Sequence, residues 1–135
     1  MPPAMLPLPP PRAAGRWRRR LIVASLLFGL AGCGTTSATY RSPLLALKVS
    51  EFAITPESVH MTAGEIRIAL TNDGVLVHEV AVANADGKIL GQTGAVFPGH
   101  TGLSARFAVA AGTYRVYDPG ANYADLGEYG SLTVR

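Results

Sequence analysis

The stretch Ile66-Arg67-Ile68-Ala69-Leu70-Thr71 is followed directly by Asn72-Asp73-Gly74, and together these residues decide the fold class. In the first six residues, large apolar side chains alternate with polar or small ones, which is typical of a β-strand with one face in a core. Asn, Asp and Gly tolerate the backbone angles of a tight turn, so the strand is predicted to end there.

The same alternation recurs over the rest of the chain. Further clear examples lie at 45–49, 78–82 and 114–118. Turn residues separate these runs, and no segment keeps the 3.6-residue period of an amphipathic helix. About seven short strands at regular spacing predict an antiparallel all-β sandwich or barrel. The apolar phase shifts by one residue near Ser50 and Glu51, and this shift predicts a β-bulge.

The composition fits one small domain that is rich in turns. The chain has 135 residues, of which 15 are Gly and 10 are Pro, and only 16% are charged. Its net charge of +3 depends on the arginines that precede Leu21, because seven basic and nine acidic residues follow from Cys33 onward. The part after this basic leader is weakly acidic, so we expect no nucleic-acid partner.

The start of the chain is predicted to be an export signal rather than part of the fold. Four arginines within 16–20 precede an uncharged apolar run at 21–31. This run has the length of a signal peptide and is too short for an ordinary membrane span. It ends in Leu30-Ala31-Gly32-Cys33, which resembles the lipobox of bacterial lipoproteins, in which the cysteine is acylated.

The predicted organisation is a lipoprotein signal peptide at 1–32, a lipidated tether at 33–44 and a domain at 45–135. Lipid on Cys33 would hold the mature protein on the extracytoplasmic side of a membrane, in the cell envelope. The expected partners are this membrane and another envelope protein. Since Cys33 is the only cysteine, its acylation would leave the domain without a disulfide or a thiolate metal ligand.

Four segments of the domain resemble segments of bacterial cupredoxins, in the plastocyanin/azurin superfamily, and they occur in the right order. The segments are 51–56 with 63–65, 72–79, 111–117 and 127–134. The resemblance extends from about Val49 to Val134. It implies a Greek-key, cupredoxin-like β-sandwich of about seven to eight strands.

In that family, two His ligands, a Cys thiolate and a weak axial ligand hold a type-1 copper ion. The resemblance places the first His ligand at His78. The other ligand positions fall on residues of a different type: Asp118 for Cys, Tyr123 for the second His and Glu128 for the axial Met. The resemblance therefore implies that these four positions converge at one end of the sandwich, and it implies no blue-copper centre.

Two interpretations of the four positions remain open. In the first, His78 and Asp118 form hydrogen bonds, Tyr123 packs against its neighbours and Glu128 faces water. In the second, the four side chains form a different metal site. Their nitrogen and oxygen donors would suit ferric iron, Zn²⁺ or Cu²⁺ better than Cu⁺.

Three classes of function follow from these interpretations. The first, which the sequence favours, is a non-catalytic, metal-free interaction module near a membrane. The second is a metal-binding or metal-delivery lipoprotein for copper, iron or zinc that uses His78 with the hard ligands. The third is a copper electron-transfer carrier with an altered site. No serine elbow, Cys/His pair, phosphate loop or HExxH helix is present, so no enzyme activity is expected.

Overall fold

The structure, a computed structural model, describes residues 34–135 as eleven β-strands and one 3-10 turn. The predicted signal peptide and the predicted lipidation site, Cys33, lie outside the described residues. Within residues 34–135, no helix combines the length and the apolar character that a membrane crossing requires. The strands are β1 Ser37–Thr39, β2 Leu44–Ser50, β3 Ala53–Thr55, β4 Ser58–Met61, β5 Gly64–Asn72, β6 Ala81–Ala83, β7 Ile89–Gln92, β8 Thr101–Leu103, β9 Phe107–Val109, β10 Gly112–Tyr117 and β11 Tyr129–Val134, and the 3-10 turn is Tyr123–Leu126.

The strands form two sheets, and each sheet contains both parallel and antiparallel pairs. The larger sheet has the order β1-β4-β11-β10-β6-β7, and the smaller has the order β3-β2-β5-β8, with β9 also paired to β5. Parallel pairs join β1 to β4, β4 to β11 and β2 to β5. The predicted all-β sandwich is confirmed, and its sheets are mixed rather than purely antiparallel.

The strands outnumber the seven to eight that were predicted, because many of them are very short. Five strands, β1, β3, β6, β8 and β9, have only 3 residues each. Three residues show at most one full alternation of side chains, which is too little for a recognisable apolar pattern. Such strands form because their backbone groups pair with a neighbouring strand, which the residue pattern does not record.

The core lies between the two sheets and is built from the alternating residues. The inward side chains of β5, Ile66, Ile68 and Leu70, are at most 2% exposed. They belong to one apolar cluster with Val82 on β6 and Leu132 on β11, so the cluster joins both sheets. Burying a side chain of this size contributes roughly 1.5–3 kcal/mol. The alternation that predicted the strands is therefore also what holds the sheets together.

The folded domain begins earlier than the predicted boundary at residue 45. The strand β1 lies within the predicted tether and pairs with β4 through Ser37–Thr39. The hydroxyl of Tyr40 donates a hydrogen bond to the backbone oxygen of Ala46 at 2.8 Å, and its ring packs on the core. The small polar residues of this segment suggested a tether, but edge-strand pairing uses backbone groups and needs no apolar side chains.

The prediction of a β-bulge near Ser50 and Glu51 is wrong, because the chain reverses direction there. β2 and β3 pair in an antiparallel hairpin in which Val49 lies opposite Ile54 and Ser50 opposite Ala53. Glu51 and Phe52 form the two-residue turn. A tight reversal changes the phase of the apolar pattern as a bulge would. The turn places Glu51 at the end of the sandwich where the functional site is found.

Candidate metal centre

Strand pairing brings Asp118 and Glu128 together, although ten positions separate them in the sequence. β10 and β11 are antiparallel, and Tyr117 lies opposite Tyr129 in their last pair. Asp118 follows the end of β10 and Glu128 precedes the start of β11, so the two residues are neighbours across the ladder. The backbone N–H of Asp118 donates to the backbone oxygen of Glu128 at 3.3 Å.

His78 lies beside Asp118 and Glu128 and belongs to the segment just before β6. Its backbone forms an isolated bridge with Val96, and β6 pairs with β10. Its side chain is fully buried, with Nδ1 at 3.2 Å from Asp118 Oδ2 and 2.9 Å from Glu128 Oε1. One ligand atom from each of the three residues lies within 4.8 Å of the others. We call His78, Asp118 and Glu128 the buried triad.

Backbone amides hold the carboxylate of Asp118 in a fixed orientation. Asp118 Oδ2 accepts a hydrogen bond from the backbone N–H of Glu79 at 3.1 Å. Asp118 Oδ1 accepts another from the backbone N–H of Gly120 at 2.7 Å. Both donors belong to the protein backbone, so the carboxylate is positioned before any ligand is bound.

Glu128 is the unusual member of the triad. The prediction that it could face water is wrong, since the residue is 0% exposed. Neither carboxylate oxygen has a hydrogen-bond partner within residues 34–135, because the approach of His78 Nδ1, although close, lacks hydrogen-bond geometry. Burial, followed by the negative charge of Asp118, raises the pKa of Glu128 to about 8. A buried carboxylate without a partner is costly, so this group needs either a proton or a cation to neutralise it.

Glu51 completes the site, and the sequence reasoning missed it as a site residue. Its Oε1 accepts hydrogen bonds from the backbone N–H groups of Leu76 at 2.8 Å and Val75 at 2.7 Å. These bonds, that of Leu76 first, lower the pKa of Glu51 to about 2. The same oxygen lies 3.3 Å from His78 Nε2. The sequence offered one signal, the phase change at the turn, but not the direction of the side chain.

Each ring nitrogen of His78 lies within hydrogen-bond distance of a carboxylate oxygen, Nε2 at 3.3 Å from Glu51 Oε1 and Nδ1 at 3.2 Å from Asp118 Oδ2. An ionised carboxylate only accepts hydrogen bonds, so a neutral imidazole can donate to only one of the two. In the tautomer that donates to Glu51, Nδ1 has a free lone pair that faces Asp118 and Glu128. A carboxylate bonded to the outer nitrogen of a His ligand is a common arrangement in metal sites.

Tyr123 lies beside the triad and contacts it through its ring. Its ring centroid is 5.1 Å from that of His78 and 5.2 Å from that of Phe52. The structure thus brings together all four residues singled out by the resemblance. The proximity of ligand atoms supports His78, Asp118 and Glu128 as a metal-ligand set, with Tyr123 packed against the imidazole.

A separate surface cleft of about 900 Å³ lies on the outer face of the larger sheet. Arg115 crosses this face, with its guanidinium carbon 4.9 Å from the ring centroid of Tyr117 and 5.8 Å from that of Tyr129. The members of the buried triad do not line the cleft. We regard the triad as the better candidate site, because the buried carboxylate of Glu128 has no hydrogen-bond partner within residues 34–135, whereas the groups in the cleft are open to water.

No protein-family model and no curated protein matches the chain. Solved structures do match it. An auracyanin from Roseiflexus castenholzii has a TM-score of 0.63 and 17% identity, with 71% of this chain and 99% of that chain covered. Auracyanin A, a blue copper protein from Chloroflexus aurantiacus, has a TM-score of 0.57 and 16% identity over 68% and 99% of the two chains.

An azurin from Methylomonas sp. strain J has a TM-score of 0.54 and 12% identity, over 68% of this chain and 97% of that chain. At these identities the likeness concerns the fold alone. The blue-copper ligand set itself does not fit, because residues 34–135 contain no cysteine. The group formed by His78, Asp118 and Glu128 could hold a metal ion. The described part of the chain therefore has the cupredoxin-like fold.

Proposed function

We propose that this protein is a lipid-anchored protein of the cell envelope that binds a divalent metal ion with His78, Asp118 and Glu128. This is the second of the three classes of function that the sequence left open. It replaces the metal-free module that the sequence favoured, because the geometry around Glu128 is better explained by a bound cation.

The observation that carries the proposal is the convergence of one imidazole nitrogen and two carboxylate oxygens. In the tautomer with the proton on Nε2, beside Glu51, His78 presents a lone pair from Nδ1. It meets carboxylate oxygens of Asp118 at 3.2 Å and Glu128 at 2.9 Å. Without a cation, such a cluster requires an extra proton, on Glu128 or on the imidazole. A metal ion would satisfy all three atoms at once.

Charge and donor type support a divalent ion of intermediate softness. Two carboxylates and one neutral imidazole carry a charge of −2 when both carboxylates are ionised, so a divalent ion would leave the buried triad neutral. Uncompensated charge is strongly disfavoured in a buried site. One nitrogen and two oxygen donors suit Zn²⁺ or Cu²⁺, and the absence of a thiolate disfavours Cu⁺.

Metal titration of the purified domain tests this proposal. Zn²⁺ and Cu²⁺ would be added in separate titration calorimetry experiments to the wild type, to Glu128→Gln and to a matched control, Glu65→Gln. Glu65 is exposed and lies at the start of β5, away from the triad. We expect one tight site in the wild type and the control, and a large loss of affinity in Glu128→Gln. Equal affinities in all three proteins, or no binding by the wild type, would refute the proposal.

Cu²⁺ also provides a spectroscopic control. Because no thiolate is available in the domain, bound Cu²⁺ should lack the intense sulfur-to-copper absorption of a blue-copper centre. Such an absorption would contradict the assignment of Asp118 to the position of the thiolate. It would favour the third class of function, an electron carrier.

The lipid anchor is a separate part of the proposal, supported by the sequence around Cys33. Replacing it in Cys33→Ser should abolish incorporation of labelled palmitate and release the protein from the membrane fraction. If the variant keeps both the palmitate label and its membrane association, lipidation at this residue is excluded. We propose a non-catalytic role, because the chain lacks the nucleophile and phosphate-binding motifs of common enzyme classes.

A further inference from the structure

The strand β1 starts toward the end of the sandwich that contains the buried triad. β1, β4 and β11 are parallel, and Ser37 is in register with Ser131 through Ser58. Ser131 comes three residues after Glu128. The chain that precedes Ser37 therefore runs toward the level of Glu128. Thr35 accordingly lines the same surface cleft as the first residues of β11.

Very little chain separates Cys33 from this strand. The backbone N–H of Ser58 donates to the backbone oxygen of Thr36 at 3.0 Å, and that of Glu57 donates to the Thr36 hydroxyl at 3.0 Å. Thr36 is thus held against β4. An extended chain spans at most about 3.6 Å per residue, so the three-residue link between Cys33 and Thr36 can be at most about 11 Å long.

The same end of the sandwich exposes apolar side chains from three separate loops. Val75 follows β5 and is 80% exposed, Phe97 precedes β8 and is 62% exposed, and Leu126 lies between β10 and β11 and is 50% exposed. The Asn72 amide joins the first two loops, because it donates to the backbone oxygens of Leu76 at 2.7 Å and Val96 at 2.8 Å. Large apolar side chains gathered on an exposed surface mark an interaction site.

The charges at this end disfavour an anionic partner surface. Lys48 is paired with Asp73 at 3.0 Å, and Asp125 adds a negative charge beside Leu126. At the opposite end, Arg41 follows β1 and Arg135 follows β11. An attraction between basic residues and anionic lipids would turn that opposite end toward the membrane. The end of the domain that contains the buried triad can gain binding free energy from a bilayer only by burying its apolar side chains.

We infer that the end of the domain containing the buried triad rests against the bilayer, with Val75, Phe97 and Leu126 in contact with lipid. The inference rests on the lipid anchor of the proposed function and does not depend on which ion is bound. An acyl chain on Cys33 is inserted beside this end, and the short chain to Thr36 keeps the two together. The buried triad then lies at the membrane-facing end of the domain rather than at the end that faces bulk solvent.

Site-specific labels on the lipidated full-length protein test the inference. Three single-cysteine variants would be labelled with an environment-sensitive fluorophore. Two carry the label at the site, Val75→Cys and Leu126→Cys. The third, Asp86→Cys, is the control and lies in the hairpin at the opposite end of the domain. Acylation blocks Cys33, so the new thiol is the one that reacts. In phosphatidylcholine vesicles, the labels at Val75 and Leu126 should shift to shorter emission wavelengths and be quenched by nitroxide lipids. The label at Asp86 should do neither, and added salt should change nothing.

The outcomes separate this inference from the anchor on which it rests. Equal emission at the three positions in protein that floats with the vesicles would overturn the orientation and leave the anchor intact. An emission shift at Val75 and Leu126 in native membranes but not in lipid vesicles would also overturn the orientation, because the apolar surface would then bind a protein. Protein that fails to float would refute the anchor, and the orientation with it.

Discussion

Replacing the carboxyl group of Glu128 with the isosteric amide of Gln should make the stability of the metal-free domain less sensitive to pH. Burial and the charge of Asp118 raise the pKa of Glu128 from its ordinary value of 4.5 to about 8. At pH 6 this carboxyl is therefore protonated in the folded domain and ionised in the unfolded chain. The folded state binds one more proton than the unfolded state, so stability falls as the pH rises through this window.

The magnitude follows from the width of the window. Each pH unit over which the two states differ by one proton changes the free energy of unfolding by about 1.4 kcal/mol. Between pH 6 and pH 8, Glu128 should thus lower the stability of the wild type by about 2 kcal/mol, and little further loss should follow above pH 8, because the carboxyl is then largely ionised in both states. Gln does not titrate, so the free energy of unfolding of Glu128→Gln should not fall in this way. Between pH 6 and pH 8 the variant should therefore become more stable relative to the wild type by that amount. Glu51 and Glu79 titrate in both proteins and largely cancel.

Urea unfolding in the presence of a chelator measures this difference. Circular dichroism is the suitable signal, because the only tryptophan, Trp17, lies in the predicted signal peptide. The exposed Glu65→Gln serves as the control and should follow the wild type. Parallel stability profiles for the wild type and Glu128→Gln between pH 6 and pH 9 would refute the reasoning about the buried carboxyl. Added Zn²⁺ should selectively stabilise the wild type at high pH, since metal binds the ionised form.

Three further results are expected. Glu51→Gln removes the ionised group that contacts the imidazole and should weaken metal binding by roughly 10–100-fold in calorimetry. Gly74→Ala should also weaken metal binding, because its Cβ atom would collide with the Glu51 carboxylate and displace it. Unchanged affinity in both variants would exclude a positioning role for Glu51. Gly130→Ala would place a Cβ atom 2.5 Å from the backbone oxygen of Glu57, and urea unfolding should show a loss of about 2 kcal/mol. Ile68→Ala, at a fully buried position, should cost about 2–5 kcal/mol in the same assay, and a smaller loss would indicate that the core collapses around the cavity.

The sequence predicted the fold class because its signal is repeated many times. Alternation in β2 and β5 marks strands that bury one face, and each repetition adds independent support. Features that depend only on backbone pairing leave no such pattern in the sequence and were not predicted. β1 has no apolar pattern, and the turn at Glu51 and Phe52 changes the phase just as a bulge would, so the boundary at residue 45 and the bulge were both placed wrongly.

By itself, the sequence determined an all-β domain whose residues 34–135 contain no cysteine, and its resemblance to cupredoxins pointed to His78, Asp118 and Glu128 as candidate ligands. Only the tertiary structure decided that Glu128 is buried with no hydrogen-bond partner among residues 34–135, and that Glu51 contacts the outer nitrogen of the imidazole. The physical reason is that burial and hydrogen bonding depend on how distant strands meet. Residue types state which interactions are possible, and the packing of the two sheets selects those that form.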